Sequence, residues 1–242
     1  MKKLEGKVAI VTGANRGLGK GIARGLAAEG AKLVVTARGE PELLTAAQEL
    51  ESGGADVLAL AADVTDEDAV EALFTAAMER FGRLDLLVNN AGAFNGGSLD
   101  KLKTADWDHV IAVNLRAPFL CTRAAMRIMK PQGGGRIINI GSISAQRVRP
   151  KSAPYSASKF GIMGLTHVTA LEGRDHGITC CCLHPGNIQV ERRQSEKPED
   201  AEPMMSIDEI SEVAILMATL PPHVEMLEAI VLPHQQMYVG RG

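Results

Sequence analysis

Short runs of apolar residues, typical of β-strands, alternate along this chain with longer segments of helical pattern. Runs such as Val8-Ala9-Ile10-Val11 and Leu84–Val88 show no regular alternation of polar and apolar residues. Strands that are covered on both faces have this composition, as in a parallel sheet between two layers of helices. The alternation therefore predicts an α/β protein of the Rossmann type, a doubly wound sheet of seven parallel strands with helices on both faces.

The boundaries of the elements follow from the same pattern. The predicted strands are Lys7–Thr12, Lys32–Thr36, Val57–Ala61, Leu84–Val88, Arg136–Ile140, Ile178–Leu183 and Ala229–Leu232. The predicted helices are Leu18–Glu29, Glu42–Ser52, Asp66–Phe81, Trp107–Met129, a helix from about Pro154 to Leu171, and Ser206–Thr219.

The composition indicates one ordinary domain. The chain has 242 residues, 45% of them hydrophobic, and no internal break in composition, so we expect a single domain over 1–242. The polar segment Arg192–Pro203 interrupts the last connection between a strand and a helix, and it predicts a mobile flap at about 187–205.

The charge and the termini exclude several partners. The net charge is −3, too close to neutral to predict a nucleic-acid partner. The N-terminus is charged rather than apolar, and no window approaches the ~18 apolar residues of a membrane span. We expect a soluble cytoplasmic protein without a membrane partner.

The four cysteines do not predict a metal site. Cys121 lies in a helical segment, and Cys180, Cys181 and Cys182 are consecutive in a predicted strand. Consecutive strand residues point to opposite faces, so these three thiols cannot converge on one metal ion. We expect reduced, mostly buried cysteines and no metal.

A glycine-rich turn follows the first predicted strand. Thr12-Gly13-Ala14-Asn15-Arg16-Gly17-Leu18-Gly19 opens the first helix. Glycines at such a turn allow the backbone to approach a diphosphate at a helix N-terminus closely. The spacing is G-x-x-x-G-x-G rather than the common G-x-G-x-x-G, but the strand before it and the helix after it favour dinucleotide binding.

A second motif lies in the helix that begins near Pro154. Tyr155 and Lys159 are four residues apart, so their side chains share one helix face. A cation held close to a phenol favours the phenolate, which gives a proton donor or acceptor usable near neutral pH. Ser142 lies thirteen residues upstream, just after a predicted strand.

These motifs together resemble the short-chain dehydrogenase/reductase family. The chain is similar to that family from residue 5 to about residue 190, in the order and at about the spacing of its motifs. The resemblance rests on Thr12–Gly19, Asp63-Val64, Asn89-Asn90-Ala91-Gly92, Asn114, Ser142, Tyr155-x-x-x-Lys159 and Pro185-Gly186.

The resemblance implies an NADP(H)-dependent oxidoreductase that interconverts a carbonyl and a secondary alcohol of a small molecule. It assigns the general acid or base to Tyr155 and the carbonyl contact to Ser142. Lys159 would support the tyrosine and bind the nicotinamide ribose, and Asn114 would support a proton-relaying water. The residues implied in cofactor binding are Gly13, Asn15, Arg16, Gly17, Leu18, Gly19, Arg38, Asp63, Val64, Asn90, Ala91, Gly92, Tyr155, Lys159, Pro185, Gly186 and Ile188.

The end of the second predicted strand indicates which cofactor is preferred. An NAD site needs an acidic residue there to accept from the ribose 2′-hydroxyl. This chain has Thr36-Ala37-Arg38 instead, and Arg16 in the glycine turn supplies a second guanidinium. Guanidiniums suit bidentate phosphate recognition, so we expect NADP(H) in preference to NAD(H). The alternative is that both arginines are solvated.

Two features bear on the substrate. The family often has threonine where this chain has Val190, and the C-terminus around Leu232-Pro233-His234-Gln235-Gln236 is similar to the serine and 3-hydroxy-acid dehydrogenase branch. Arginines on the flap and after Ser142 predict a basic rim, which favours small polar ketones or 3-oxo and 3-hydroxy acids. The rim consists of Arg147, Arg149, Arg192 and Arg193. His184, at a strand end, is a structural residue or a substrate contact.

Two other functions remain open at this point. The same fold can serve a regulatory nucleotide-binding protein without activity, and the same tyrosine can serve a dehydratase or epimerase. The resemblance also implies assembly, because in this family the helices that correspond to Trp107–Met129 and Pro154–Gly173 form a dimer face. We expect a homotetramer with two-fold symmetry.

Overall fold

The computed structural model describes residues 2–189 and 202–238 and contains one sheet of seven parallel strands. The strand order is β3-β2-β1-β4-β5-β6-β7. The strands are β1 (Val8–Thr12), β2 (Lys32–Ala37), β3 (Val57–Ala61), β4 (Leu86–Asn89), β5 (Gly135–Ile140), β6 (Ile178–Pro185) and β7 (Glu228–Val231). The predicted doubly wound sheet is confirmed.

Helices cover both faces of the sheet. One face packs against α1 (Gly17–Ala28), α2 (Glu40–Ser52) and α7 (Ile207–Thr219). The other packs against α3 (Glu67–Phe81), α5 (Ala117–Gln132) and α6 (Ala153–Gly173), and α4 (Thr104–Ile111) precedes α5. None of the helices within 2–189 and 202–238 is long and apolar enough to cross a membrane.

The sheet has a hydrophobic core on each face, and successive residues of a strand pack alternately into one core and the other. On β1, Val11 packs into the core under α1 and α7, whereas Ile10 packs into the core under α3 and α5. Cys180 and Cys181 divide between the two cores in the same way, and burial raises the pKa of Cys181 to about 12. Both faces of the strands exclude water, which is why the sequence shows no polar alternation.

The strand order reverses between β1 and β4, because the chain runs outward through β2 and β3 and then returns. Loops from the two halves diverge at such a switch point and leave a crevice outside the carboxyl ends of the strands. Most of the predicted functional residues directly follow β1, β2, β3, β4 or β5 at this edge.

The prediction of one continuous helix over Trp107–Met129 is wrong. The helix is interrupted by a π turn at Ala112–Arg116, between α4 and α5. Pro118 explains part of this break, since it has no N–H to donate to the carbonyl of Asn114 four residues earlier. Such π turns are frequent at functional sites, and this one carries Asn114.

Candidate active site

The glycine turn between β1 and α1 is held against the end of β4. The Asn90 side-chain amide donates to the carbonyls of Thr12 (2.9 Å) and Gly13 (3.1 Å). A Cβ atom at Gly19 would lie 2.2 Å from the Gly13 carbonyl oxygen, and Gly13 itself has φ +64°. Only glycine fits both positions, so the backbone there stays bare and open to a ligand.

A cleft of about 490 Å³ opens above this turn. Its walls contain eleven of the residues predicted to bind the cofactor: Gly13, Asn15, Arg16, Leu18, Gly19, Arg38, Asp63, Val64, Asn90, Ala91 and Gly92. These walls offer bare backbone N–H groups at a helix N-terminus, two guanidiniums and a carboxylate. Such a combination of hydrogen-bond donors and one acceptor fits a dinucleotide. The predicted residues that are not in its walls are Gly17, Tyr155, Lys159, Pro185, Gly186 and Ile188.

Asp63 is the carboxylate at the far side of this cleft. Burial raises the pKa of Asp63, but hydrogen bonds from the backbone N–H and the hydroxyl of Thr65, with the charges of Arg38 and His109, outweigh it. The pKa therefore lies below its ordinary value, and Asp63 is a carboxylate at neutral pH. It can accept a hydrogen bond from a ligand and also holds Arg38 by charge.

Tyr155 and Lys159 share the first turns of α6. The Lys159 ammonium is buried, donates to the carbonyl of Ile140 at 2.7 Å, and lies 5.6 Å from the centroid of the Tyr155 ring. Phe94 packs edge-on against the same ring, at 5.2 Å between centroids. The tyrosine is thus placed between the loop after β4 and the end of β5.

Ser142 stands two residues beyond that Ile140 carbonyl. Its hydroxyl accepts a hydrogen bond from the N–H of Ser144 at 3.1 Å, and the side chain is buried. An oxygen fixed by an incoming donor keeps its own proton free to give to a ligand. The backbone of Ser142 contacts the fully buried His184 imidazole, so the histidine lies behind the serine and is not a substrate contact.

Asn114, on the π turn, joins the loop after β4 to α6. Its amide accepts from the Ala93 N–H at 2.7 Å and donates to the Ala93 carbonyl at 2.9 Å and to the Ser158 hydroxyl at 3.1 Å. Ser158 in turn donates to the Tyr155 carbonyl. Asn114 therefore fixes the position of the tyrosine's helix relative to the cleft.

The segment after β6 is held by the C-terminal part of the chain. Gln236 accepts from the Asn187 N–H at 2.8 Å, and Ile188 pairs with Met205 in a short parallel bridge. Val190 and most of the predicted flap lie outside the described residues.

Of the predicted basic rim, only Arg147 and Arg149 belong to the described residues, and both are engaged. Arg147 lies over the Tyr238 ring and Arg149 pairs with Glu202 at 3.4 Å. Arg192 and Arg193 lie outside the described residues.

Several residues of the site were not predicted. Thr65 and Val113 line the cleft, and each has a weak sequence signal, since one follows Asp63-Val64 and the other precedes Asn114. Glu42 also lines it, at the start of α2 beside Arg38. The sequence marks Gln236 only as part of the C-terminal segment that resembles one branch of the family, and nothing there predicts its contact with Asn187, far away in the chain.

This arrangement matches a known family. The model of the short chain dehydrogenase family matches residues 7–201. The chain belongs to the short-chain dehydrogenase family. Its members of known name include the 3-oxoacyl-[acyl-carrier-protein] reductase of Synechocystis sp., which is 38% identical over 200 residues, 82% of this chain and 81% of that protein.

Two solved members of the family have a similar fold. A metagenomic short-chain oxidoreductase in complex with NADP is 37% identical, with a TM-score of 0.85 over 96% of this chain and 99% of the other. A variant of the actinorhodin polyketide ketoreductase with NADPH is 32% identical, with a TM-score of 0.89 over 96% and 98%. This short-chain dehydrogenase is accordingly an NAD(P)-dependent oxidoreductase that interconverts a carbonyl and an alcohol.

Proposed function

We propose that this enzyme is an NADP(H)-preferring carbonyl reductase whose proton donor is Tyr155. The observation that carries the proposal is the position of Lys159, whose ammonium lies beside the Tyr155 ring and bonds the Ile140 carbonyl, two residues before Ser142. These contacts support a site in which Tyr155 is the acid, Lys159 the cation beside it and Ser142 the hydroxyl donor. Screening carbonyl compounds and alcohols for cofactor-coupled turnover tests the proposal, with a 3-hydroxy acid and its methyl ester included to probe charge recognition.

The bound nicotinamide supplies the hydride, and the chain's own residues supply binding, orientation and the proton. Tyr155 donates the phenol proton to the carbonyl oxygen as charge develops there. The Ser142 hydroxyl donates to the same oxygen and stabilises that charge. In the oxidative direction the same two groups act in reverse, with Tyr155 as the base.

The remaining proposed residues position these groups. Lys159 places its side-chain nitrogen beside the phenol ring and would donate a hydrogen bond to a ribose hydroxyl of a bound cofactor. Asn114 holds Ala93 and Ser158 together, and Pro118 leaves the Asn114 carbonyl without its ordinary helical donor, which suits that carbonyl to accept from a water that relays protons. Pro185, Gly186 and Ile188 belong to the segment that Gln236 holds through Asn187, and they would cover a bound nicotinamide.

The preference for NADP(H) rests on Arg16 and Arg38, which both line the cleft. Replacing Ala37 with Asp and Arg38 with Gln should reverse the cofactor preference, with a change of about 100-fold in the ratio of kcat/KM for NADPH to that for NADH. Each charge-assisted hydrogen bond to a 2′-phosphate is worth about 1.5–3 kcal/mol, and the new carboxylate accepts from the 2′-hydroxyl of NADH.

The control for this change is Arg24→Gln, which removes a guanidinium from the exposed side of α1 outside the cleft walls. It should leave the ratio unaltered. Equal use of the two cofactors by the wild type would contradict the proposed preference.

We also propose a homotetramer in which α5 and α6 form one two-fold face. Phe119, Val168 and Leu171 are 44%, 55% and 64% exposed on these helices, an apolar group that self-association would cover. Leu171→Glu should shift the sedimenting species toward smaller assemblies, because it would bury a carboxylate from each subunit at the tetramer's contacts.

Leu44→Glu is the matched control, since Leu44 is a comparably exposed residue, 46%, on α2. It should leave the assembly intact. A wild-type protein that sediments only as a monomer at micromolar concentration would overturn the proposal. The cytoplasmic location and the preference for small 3-oxo or 3-hydroxy acids stay predictions from the sequence.

A further inference from the structure

A histidine lies directly behind Ser142. His184, near the end of β6, is fully buried. Its Nδ1 atom is 3.3 Å from the backbone nitrogen of Ser142 and 3.0 Å from the backbone carbonyl oxygen of Ser142. Gly141 makes this approach possible, because a Cβ atom there would lie 2.5 Å from Nδ1. The imidazole therefore rests against the bare backbone on which the candidate carbonyl-binding serine is mounted.

The other ring nitrogen faces a carboxylate. Nε2 has no hydrogen-bond partner within the described parts of the chain, and its nearest ionic neighbour is Glu228 on β7, at 3.8 Å from Oε2. The other oxygen of Glu228 bonds His167 of α6 at 2.7 Å. A row of ionisable groups thus runs from the Ser142 backbone to His167, which is 46% exposed.

We propose that His184 is a positioning residue for Ser142, and that the neutral imidazole holds the Ser142 backbone in the active arrangement until a proton on the ring releases it. The proposal deepens the proposed function, because it rests on Ser142 as the group that contacts the carbonyl oxygen. His184 acts through the serine and does not itself touch the substrate.

Nδ1 lies within hydrogen-bond reach of both the N–H and the carbonyl oxygen of Ser142, so the position of the ring protons decides which of the two contacts forms. The Glu228 carboxylate favours the neutral tautomer with its proton on Nε2, since the group facing one ring nitrogen decides where the proton resides. Nδ1 then has a lone pair and accepts from the Ser142 N–H. When the ring is charged, Nδ1 carries a proton and donates to the backbone carbonyl oxygen of Ser142. The Ser142 N–H then loses its buried acceptor, so the backbone at Ser142 moves.

The groups around the ring set the pH at which this happens. Burial is the largest influence and lowers the pKa of His184. The hydrogen bond to the Ser142 backbone and the charge of Glu228 raise this pKa, whereas the charges of Lys159 and His167 lower it. The pKa therefore lies below its ordinary value of 6.5. Cys182 also lies close to the ring, since a Cβ atom at Gly141 would meet both, and burial raises the pKa of its thiol to about 12.

A depressed histidine pKa contributes stability that is present above pH ~6.5 and is lost as pH falls through the folded value. The released state therefore belongs to the acidic side of neutrality. Turnover should fall there together with stability, because the same proton displaces the Ser142 peptide.

Two substitutions separate the hydrogen bond from the titration. His184→Asn keeps an amide oxygen that accepts from the Ser142 N–H but cannot titrate, so turnover at pH 8 should stay within about 3-fold and the loss on the acidic side should shrink. His184→Leu removes the acceptor, and kcat at pH 8 should fall by about 10–100-fold, as a misplaced reacting group does. The Kd for NADPH should change little in either variant.

A double-mutant cycle then shows whether His184 works through the serine. Adding His184→Leu to Ser142→Ala should cost less than about 3-fold, since the hydroxyl to be positioned is already gone. His176→Gln, which alters an exposed histidine after α6, is the control and should leave both turnover and its pH profile unchanged.

Two results overturn the inference while the proposed function stands. One is an equal loss from His184→Leu in the wild-type and Ser142→Ala backgrounds, which indicates a merely structural role. The other is a His184→Asn enzyme whose turnover falls at acidic pH as much as that of the wild type. This second result can be obtained even if His184→Leu does not fold. Failure of the proposed function is a separate result, because Ser142→Ala alone would then retain wild-type turnover.

Discussion

Replacing Tyr155 with phenylalanine should lower kcat by about 10²–10⁴-fold, the range for losing a positioned general acid. The upper part of that range is expected, because the phenol also stabilises charge on the carbonyl oxygen. Phenylalanine keeps the ring that packs against Phe94 and lies beside Lys159, so the local structure should persist. Turnover and the Kd for NADPH are measured on the same preparation, and the Kd should stay within a few-fold.

The other tyrosine of the chain provides the control. Tyr238 donates its hydroxyl proton to Gln146, in the loop that follows Ser142. Tyr238→Phe removes a phenol from that neighbourhood without removing the proposed proton donor, so it should retain turnover within a few-fold. A Tyr155→Phe enzyme that keeps most of the wild-type activity would show that Tyr155 is not the general acid.

Replacing Ser142 with alanine should lower kcat by about 10²–10³-fold, the usual cost of one lost donor to a developing oxyanion. The hydroxyl is preorganised, since the Ser144 N–H fixes its oxygen and burial removes competing water. The KM for substrate should rise far less than kcat falls, because the contact strengthens as charge develops.

Ser144→Ala is the matched variant for this change. It deletes a neighbouring hydroxyl but keeps the backbone N–H that holds the Ser142 oxygen, so turnover should stay close to that of the wild type. An equal loss in the two variants would mean that the loop as a whole, and not the Ser142 hydroxyl, is required.

The sequence predicts the fold and much of the candidate site for local reasons. The spacing of Tyr155 and Lys159 determines that they share a face of α6, and the glycine turn follows β1 directly. Eleven of the predicted cofactor residues line one cleft, because parallel strands bring their carboxyl ends to the same edge.

What the sequence could not predict depends on contacts between distant segments or on small energy differences. In the π turn at Ala112–Arg116 the backbone hydrogen bonds span five residues rather than the four of an α-helix, a difference that hydrophobic periodicity does not resolve. Gln236 and Asn187 meet through a hydrogen bond across 49 positions. The sequence leaves open whether His184 is a structural residue or a substrate contact, and only the packing of β6 against β5 places it behind Ser142.

We propose that this short-chain dehydrogenase reduces a carbonyl by hydride transfer and takes the proton from Tyr155. The most direct measurement follows NADPH consumption and product formation together, for a substrate found in the carbonyl panel, in the wild type and in Tyr155→Phe. We predict one alcohol formed per NADPH consumed, and near-complete loss of both in the variant. Product formed without net consumption of NADPH, as by a dehydratase or an epimerase, or NADPH bound with no turnover of any carbonyl or alcohol tested, would contradict the claim.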